Sequence, residues 1–152
     1  MTRSQFTLFI VLFAALLLSG FGEKPNNSDR TLKAEISTDR NVYNISEPVK
    51  MTITLINNSS EAYSAYFPSG KKYDFMVLCA KKIERWRWSR GKMFTMAVQP
   101  LMLKSRERIS YAYTWDQKDN SGRNLSPGKY YIIGEIAVSP RISSEAKEIQ
   151  IK

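Results

Sequence analysis

Histidine is absent from all 152 residues, and cysteine occurs once, at Cys79. Without an imidazole the chain has no Ser-His-Asp triad, no ordinary near-neutral general base and none of the commonest metal ligand. One thiol makes neither an internal disulfide nor a thiolate zinc site, so an exported domain of this sequence rests on its hydrophobic core alone. Cys79 alternates with Phe75 and Val77 and reads as a small buried hydrophobe. Acidic residues are also scarce: 14 Asp and Glu against 23 Lys and Arg give a formal charge of +9. That surplus favours acidic partners, whether an anionic envelope surface or the acidic face of a protein, and speeds association with them.

Long apolar runs are missing too, and none reaches the roughly 20 residues of a comfortable bilayer-spanning helix. The longest, Phe6 to Leu18, is about 13 residues, lies behind Arg3 and is followed by Gly20-Phe21-Gly22, the pattern of a secretory signal. Residues 1–22 are therefore expected to be a signal peptide cut before Glu23, with an uncleaved N-terminal anchor as the alternative. No Cys follows the small residues, so lipidation is not expected. Residues 23–31 are polar and turn-rich and read as a tether. Residues 32–152 then suffice for a single domain.

What is present is alternation of period two, the mark of half-buried strands. Leu32, Ala34 and Ile36 alternate with Lys33, Glu35 and Ser37, and Val49, Met51, Ile53 and Leu55 with Lys50, Thr52 and Thr54. Val42, Tyr43 and Ile45 are expected to pack at an edge. Further strands are predicted over Ala62 to Phe67, Asp74 to Ala80, Glu84 to Ser89, Phe94 to Val98, Arg108 to Trp115, Lys129 to Val138 and Glu145 to Ile151. About nine short strands separated by Gly, Pro, Asn and Ser, with no convincing helix, predict an all-β, immunoglobulin-like antiparallel β-sandwich.

Arg85-Trp86-Arg87-Trp88 interleaves cations and indoles, a pattern that suits stacking on bases or insertion at a membrane surface. On a strand, however, Trp86 and Trp88 share one face and Arg85 and Arg87 the other. The expectation is two core-facing indoles behind a solvated basic face, with no nucleic-acid partner. Trp115, in line with Ile109, Tyr111 and Tyr113, is expected to pack across the sandwich. Asp116 to Gly122 lacks the Asp-x-Asp-x-Asp-Gly spacing and closing Glu of a calcium loop and reads as a hairpin connection with Gly122 at positive φ. Ser126-Pro127-Gly128 reads as a type II turn.

Glu35, Glu47, Glu84, Glu107, Asp74 and Asp116 fall on strand surfaces or in turns with no sign of convergence. A paired-carboxylate hydrolase has no support here. The chain is expected to be no enzyme and to carry no cofactor or metal.

Four landmarks follow in one order: Phe67-Pro68-Ser69-Gly70-Lys71-Lys72-Tyr73-Asp74-Phe75; Trp86-Arg87-Trp88-Ser89 with Phe94-Thr95; Tyr113-Thr114-Trp115-Asp116; and Gly122 with Ser126-Pro127-Gly128-Lys129-Tyr130. Together they resemble the intracellular proteinase inhibitor family of the BsuPI type, over roughly Val49 to Ile136. The resemblance implies an immunoglobulin-like sandwich without catalytic activity and a serine protease, subtilisin-like, as partner. The other reading is an envelope-associated module that binds a protein or an anionic polymer without inhibiting anything.

Subtilisin-like clefts accept extended peptide. The candidate inhibitory contact is accordingly Leu101, Met102 and Leu103, an apolar stretch after Pro100, although Leu101 and Leu103 would serve equally as caps on the core. The turns Ser69 to Lys72 and Gln117 to Arg123 come next. Where the family resemblance brings a Pro-Gly turn, this chain has Lys104-Ser105-Arg106-Glu107.

Overall fold

The computed structural model describes residues 31–152, and the expected signal peptide and nearly all of the expected tether lie outside the described residues. Alternation becomes strands in chain order: β1 (Leu32–Thr38), β2 (Val42–Tyr43), β3 (Val49–Asn57), β4 (Tyr63–Phe67), β5 (Tyr73–Cys79), β6 (Glu84–Arg87), β7 (Gln99–Leu103), β8 (Arg108–Trp115), β9 (Gly128–Ile136), β10 (Ile142–Ser143) and β11 (Lys147–Ile151). No helix interrupts them among the described residues.

One sheet has the order β1-β3-β8, all antiparallel. The other runs β2-β11-β9-β5-β6, with β10 beside β9 and only the short β2 parallel to its neighbour. Val49, Met51, Ile53 and Leu55 of the first sheet are fully buried, facing Phe75, Val77, Ile132, Ile136, Ile149 and Ile151 of the second. Two antiparallel sheets closing one apolar layer make the immunoglobulin-like β-sandwich.

At Gly134 the sheets approach so closely that a Cβ would stand 2.4 Å from Ile53 Cδ1 and 3.0 Å from its Cβ. Gly134→Ala is expected to destabilise the domain by about 1–3 kcal/mol through overpacking, read as a lower urea midpoint at unchanged slope.

Three expectations are corrected. Phe94 to Val98 is not a strand: the pairing segment is Gln99–Leu103, which forms a separate two-stranded ribbon with β4. Apolar residues at 94, 96 and 98 imitate strand alternation, but Met96 and Val98 face water and that backbone lies beside no partner strand. Of the edge trio only Tyr43 is buried, its hydroxyl donating to Asp39 Oδ1 at 2.7 Å, whereas Val42 and Ile45 are about half exposed. Gly128 has φ 155°, away from the roughly +80° of a type II corner.

Gly122 does carry the positive φ, 79°, and Asp119 Oδ1 accepts from the backbone N–H of Ser121 and Arg123, closing that connection as an Asx turn.

A candidate partner-binding loop on a buried ion network

The Lys71-to-Asp74 landmark and the Trp86-to-Ser89 landmark converge on one carboxylate. Asp74 sits on the outer face of the second sheet, opposite Glu135, yet is fully buried. Its oxygens accept from Lys71 Nζ (2.5 Å), Ser89 Oγ (2.6 Å), the backbone N–H of Phe75 (3.0 Å) and of Ser89 (3.1 Å), and Arg87 (3.3 Å). Burial pushes this carboxyl up, but the bonds from Lys71 and Ser89 more than offset it, and its pKa lies below the usual Asp value.

Two like charges in cross-strand register repel. Here Lys71 stands between them, 3.9 Å from Glu135, and Arg141 reaches Glu135 at 3.3 Å. Arg87 is therefore not on a solvated face, as its alternation suggested: it is half-buried, joining Asp74 to Glu84, which also binds Arg90. Asp74, likewise, is no surface carboxylate.

This network fixes the base from which residues 88–98 project. Trp88 donates its backbone N–H to Phe75 O and packs its ring 4.5 Å from Tyr73 and 5.8 Å from Phe94. Lys92 lies over its face at 4.9 Å. Gly70 N–H donates to Thr95 O at 2.9 Å, and a Cβ on Gly70 would come within 2.6 Å of Thr95 Oγ1. The Ser69-to-Lys72 turn thus props the loop from below, and Lys72 also donates to Gln99. Phe94 and Thr95 are the anchors, and between and beyond them Met93 is 98% and Met96 87% exposed.

Of eight exposed large apolar side chains among the described residues, four (Met93, Met96, Val98 and Met102) lie in this segment and β7. A fifth, Tyr66, is on β4 opposite Pro100. Exposed apolar side chains gathered in one segment mark a candidate interaction site, and methionine adapts to varied partners.

The candidate trio on β7 is split by the pleat. Leu103 is fully buried and Leu101 packs against the core, so both cap the sandwich, whereas Met102 points out and is 71% exposed. Met102 is thus the exposed member of the trio, the Ser69-to-Lys72 turn meets the loop through Gly70 and Thr95, and the exposed Met93, Met96 and Val98 had not been assigned from sequence. Their signal was an apolar spacing with no polar counterface, which propensity alone reads as a strand.

The Gln117-to-Arg123 turn lies apart, docked on β6. Asn120 accepts from Arg87 N–H at 2.8 Å and donates to Arg87 O at 2.9 Å, blocking that sheet edge. The β7–β8 turn closes differently from a Pro-Gly corner: Glu107 accepts from Lys104 N–H at 2.6 Å, and Arg106 takes φ 60°. Among the described residues no three His, Cys, Asp or Glu side chains are placed to hold a metal ion.

The fold is similar to part of an alkylpurine DNA glycosylase from Pseudomonas fluorescens, at 12% identity and TM-score 0.45, covering 80% of this chain and 30% of that one. It is also similar to a CARDB domain from Pyrococcus furiosus (12% identity, TM-score 0.44, 80% and 87% covered). The sporulation control protein Spo0M of Bacillus subtilis is a third (10%, TM-score 0.48, 81% and 50%). No curated protein sequence matches the chain. The family model for the intracellular proteinase inhibitor matches residues 36–141, a stretch that holds the Asp74 network, both anchors of the exposed loop and every landmark of the sequence. The chain belongs to the BsuPI family of intracellular proteinase inhibitors.

Proposed function

We propose that this protein is an exported inhibitor of a subtilisin-like serine protease, and that it presents Met93 to Val98, flanked by Met102, to the protease cleft. The observation that carries the reading is an irregular, exposed apolar loop held at Phe94 and Thr95 by a rigid sandwich. A segment already fixed near its bound shape loses little entropy on docking. The other available device, strand addition at β8, is less suited. Its outer edge pairs with no strand, but its outward side chains are Arg108, Ser110, Ala112 and Thr114, which offer an apolar cleft little to bury. Lys72 and Lys92 flank the loop and favour an acidic protease surface. Export is supported by Arg3 and the apolar run Phe6 to Leu18.

Titration of subtilisin with the purified protein, followed with a chromogenic peptide, should give a one-to-one inhibited complex. Met96→Asp should weaken inhibition at least tenfold, about 1.4 kcal/mol, with an unchanged circular dichroism spectrum. Undiminished inhibition by a Met93→Asp, Met96→Asp double variant would remove the loop from the contact. Full protease activity alongside retention on envelope material would favour the non-inhibitory binding module.

A further inference from the structure

A second polar site lies at the base of the loop, beside Arg90, where the Gln117-to-Arg123 turn docks against β6. Glu84, Arg85, Arg90, Asp119, Ser121 and Arg123 line a cleft of about 300 Å³ there, with Asn120 as its floor. Asn120 is rigid because both ends of its amide are bonded to the Arg87 backbone.

Both carboxylates are already committed. Glu84 binds Arg87 with one oxygen and Arg90 with the other. Asp119 binds the backbone N–H groups of Ser121 and Arg123 with one oxygen and the Arg123 guanidinium with the other. Their effect is to hold Arg90 and Arg123 in fixed orientations while leaving N–H donors of each guanidinium free, since Arg carries five. The Arg85 guanidinium makes no hydrogen bond or ion pair among the described residues, and neither does the Ser121 hydroxyl. The cleft therefore offers unspent donors and no unspent carboxylate, with three guanidinium charges against two anions. Planar guanidinium forks match the oxygens of a phosphate. A volume near the lower limit for ligand sites fits a small phosphorylated group.

We propose that this cleft binds a phosphate group, either a free small anion or one borne on a lipid head group. The proposal is independent of protease inhibition, because the cleft shares no residue with Met93 to Val98 or with Met102.

The test uses the purified protein at low ionic strength, with inorganic phosphate as one probe and phosphatidylglycerol vesicles as the other. Binding is read by amide shifts in NMR and by co-sedimentation. Saturable shifts at Ser121 and Arg123, weakened at least tenfold in Arg85→Gln, are the expected result. Arg85→Gln is the informative variant because that side chain supports nothing else in the fold; Lys104→Gln, on the distant β7–β8 turn, serves as the control and should bind normally. Phosphate binding alone identifies a soluble ligand, whereas sedimentation with vesicles that is sensitive to Arg85→Gln identifies a head group. No binding of either probe, or equal loss in Arg85→Gln and Lys104→Gln, would overturn the proposal in favour of general charge attraction.

Discussion

Asp74→Asn should lower the stability of the domain by about 3 kcal/mol at neutral pH, the lower end of what removing one partner from a buried ion pair costs. An amide keeps one acceptor for the N–H groups of Phe75 and Ser89, but its NH2 then meets Lys71 and Arg87, which only donate, and forces the Ser89 hydroxyl to turn and accept. Partial solvation of Lys71 and Arg87, whose side chains are 19% and 29% exposed, keeps the loss from the top of the range. Stability should also change with pH in a defined direction. The folded pKa of Asp74 lies below the unfolded value of about 3.9. Its contribution is thus complete above the unfolded pKa and is lost as pH falls through the folded one. Urea midpoints at pH 7 and pH 2.5 check this: the wild type should lose more on acidification than Asp74→Asn. Equal acid sensitivity in both would place the acid response in other carboxylates.

The same residue marks where sequence reading stops. Alternation legibly set Val49 to Leu55 and Phe75 and Val77 toward the core, because a strand's side chains must take opposite sides. It also put Asp74 and Arg87 on the opposite side, correctly as to face, whereas Arg85 falls at the register shift between β5 and β6, where simple alternation breaks. What alternation does not carry is whether an outer face is wet. Asp74 is dry because Lys71, Ser89 and Arg87 are folded over it from other parts of the chain, and nothing local encodes that meeting. The loop failed for a related reason. Phe94, Met96 and Val98 have a strand's spacing, yet a strand exists only if a neighbour pairs with it, and the neighbour, β4, pairs with Gln99–Leu103 instead. Met102 was legible as an extended apolar position, and its split from Leu101 and Leu103 follows from the pleat once β7 is known.

Trp115→Ala should be the most damaging single change in the core, about 4–5 kcal/mol, at the upper end for truncating a buried aromatic. The indole is fully buried at the end of β8, opposite Val49, with its ring 5.8 Å from Trp86, which itself stacks on Tyr113 at 5.6 Å. Its N–H donates to Lys118 O at 2.9 Å, so truncation leaves both a cavity and an unpaired carbonyl. That bond also holds the start of the turn whose Asn120 clasps the Arg87 backbone on β6. Loss of the indole should therefore free a sheet edge as well as weaken the core, and the variant should aggregate on warming. Trp88→Ala, at a half-buried ring outside this bond, should lose about half as much. Net stabilities of single domains are about 5–15 kcal/mol, and this one has a lone Cys79 and no disulfide to limit its unfolded state. Urea unfolding followed by far-ultraviolet circular dichroism checks the order of the two variants. A Trp115→Ala midpoint equal to the wild type would mean that the indole is not the wedge between the sheets.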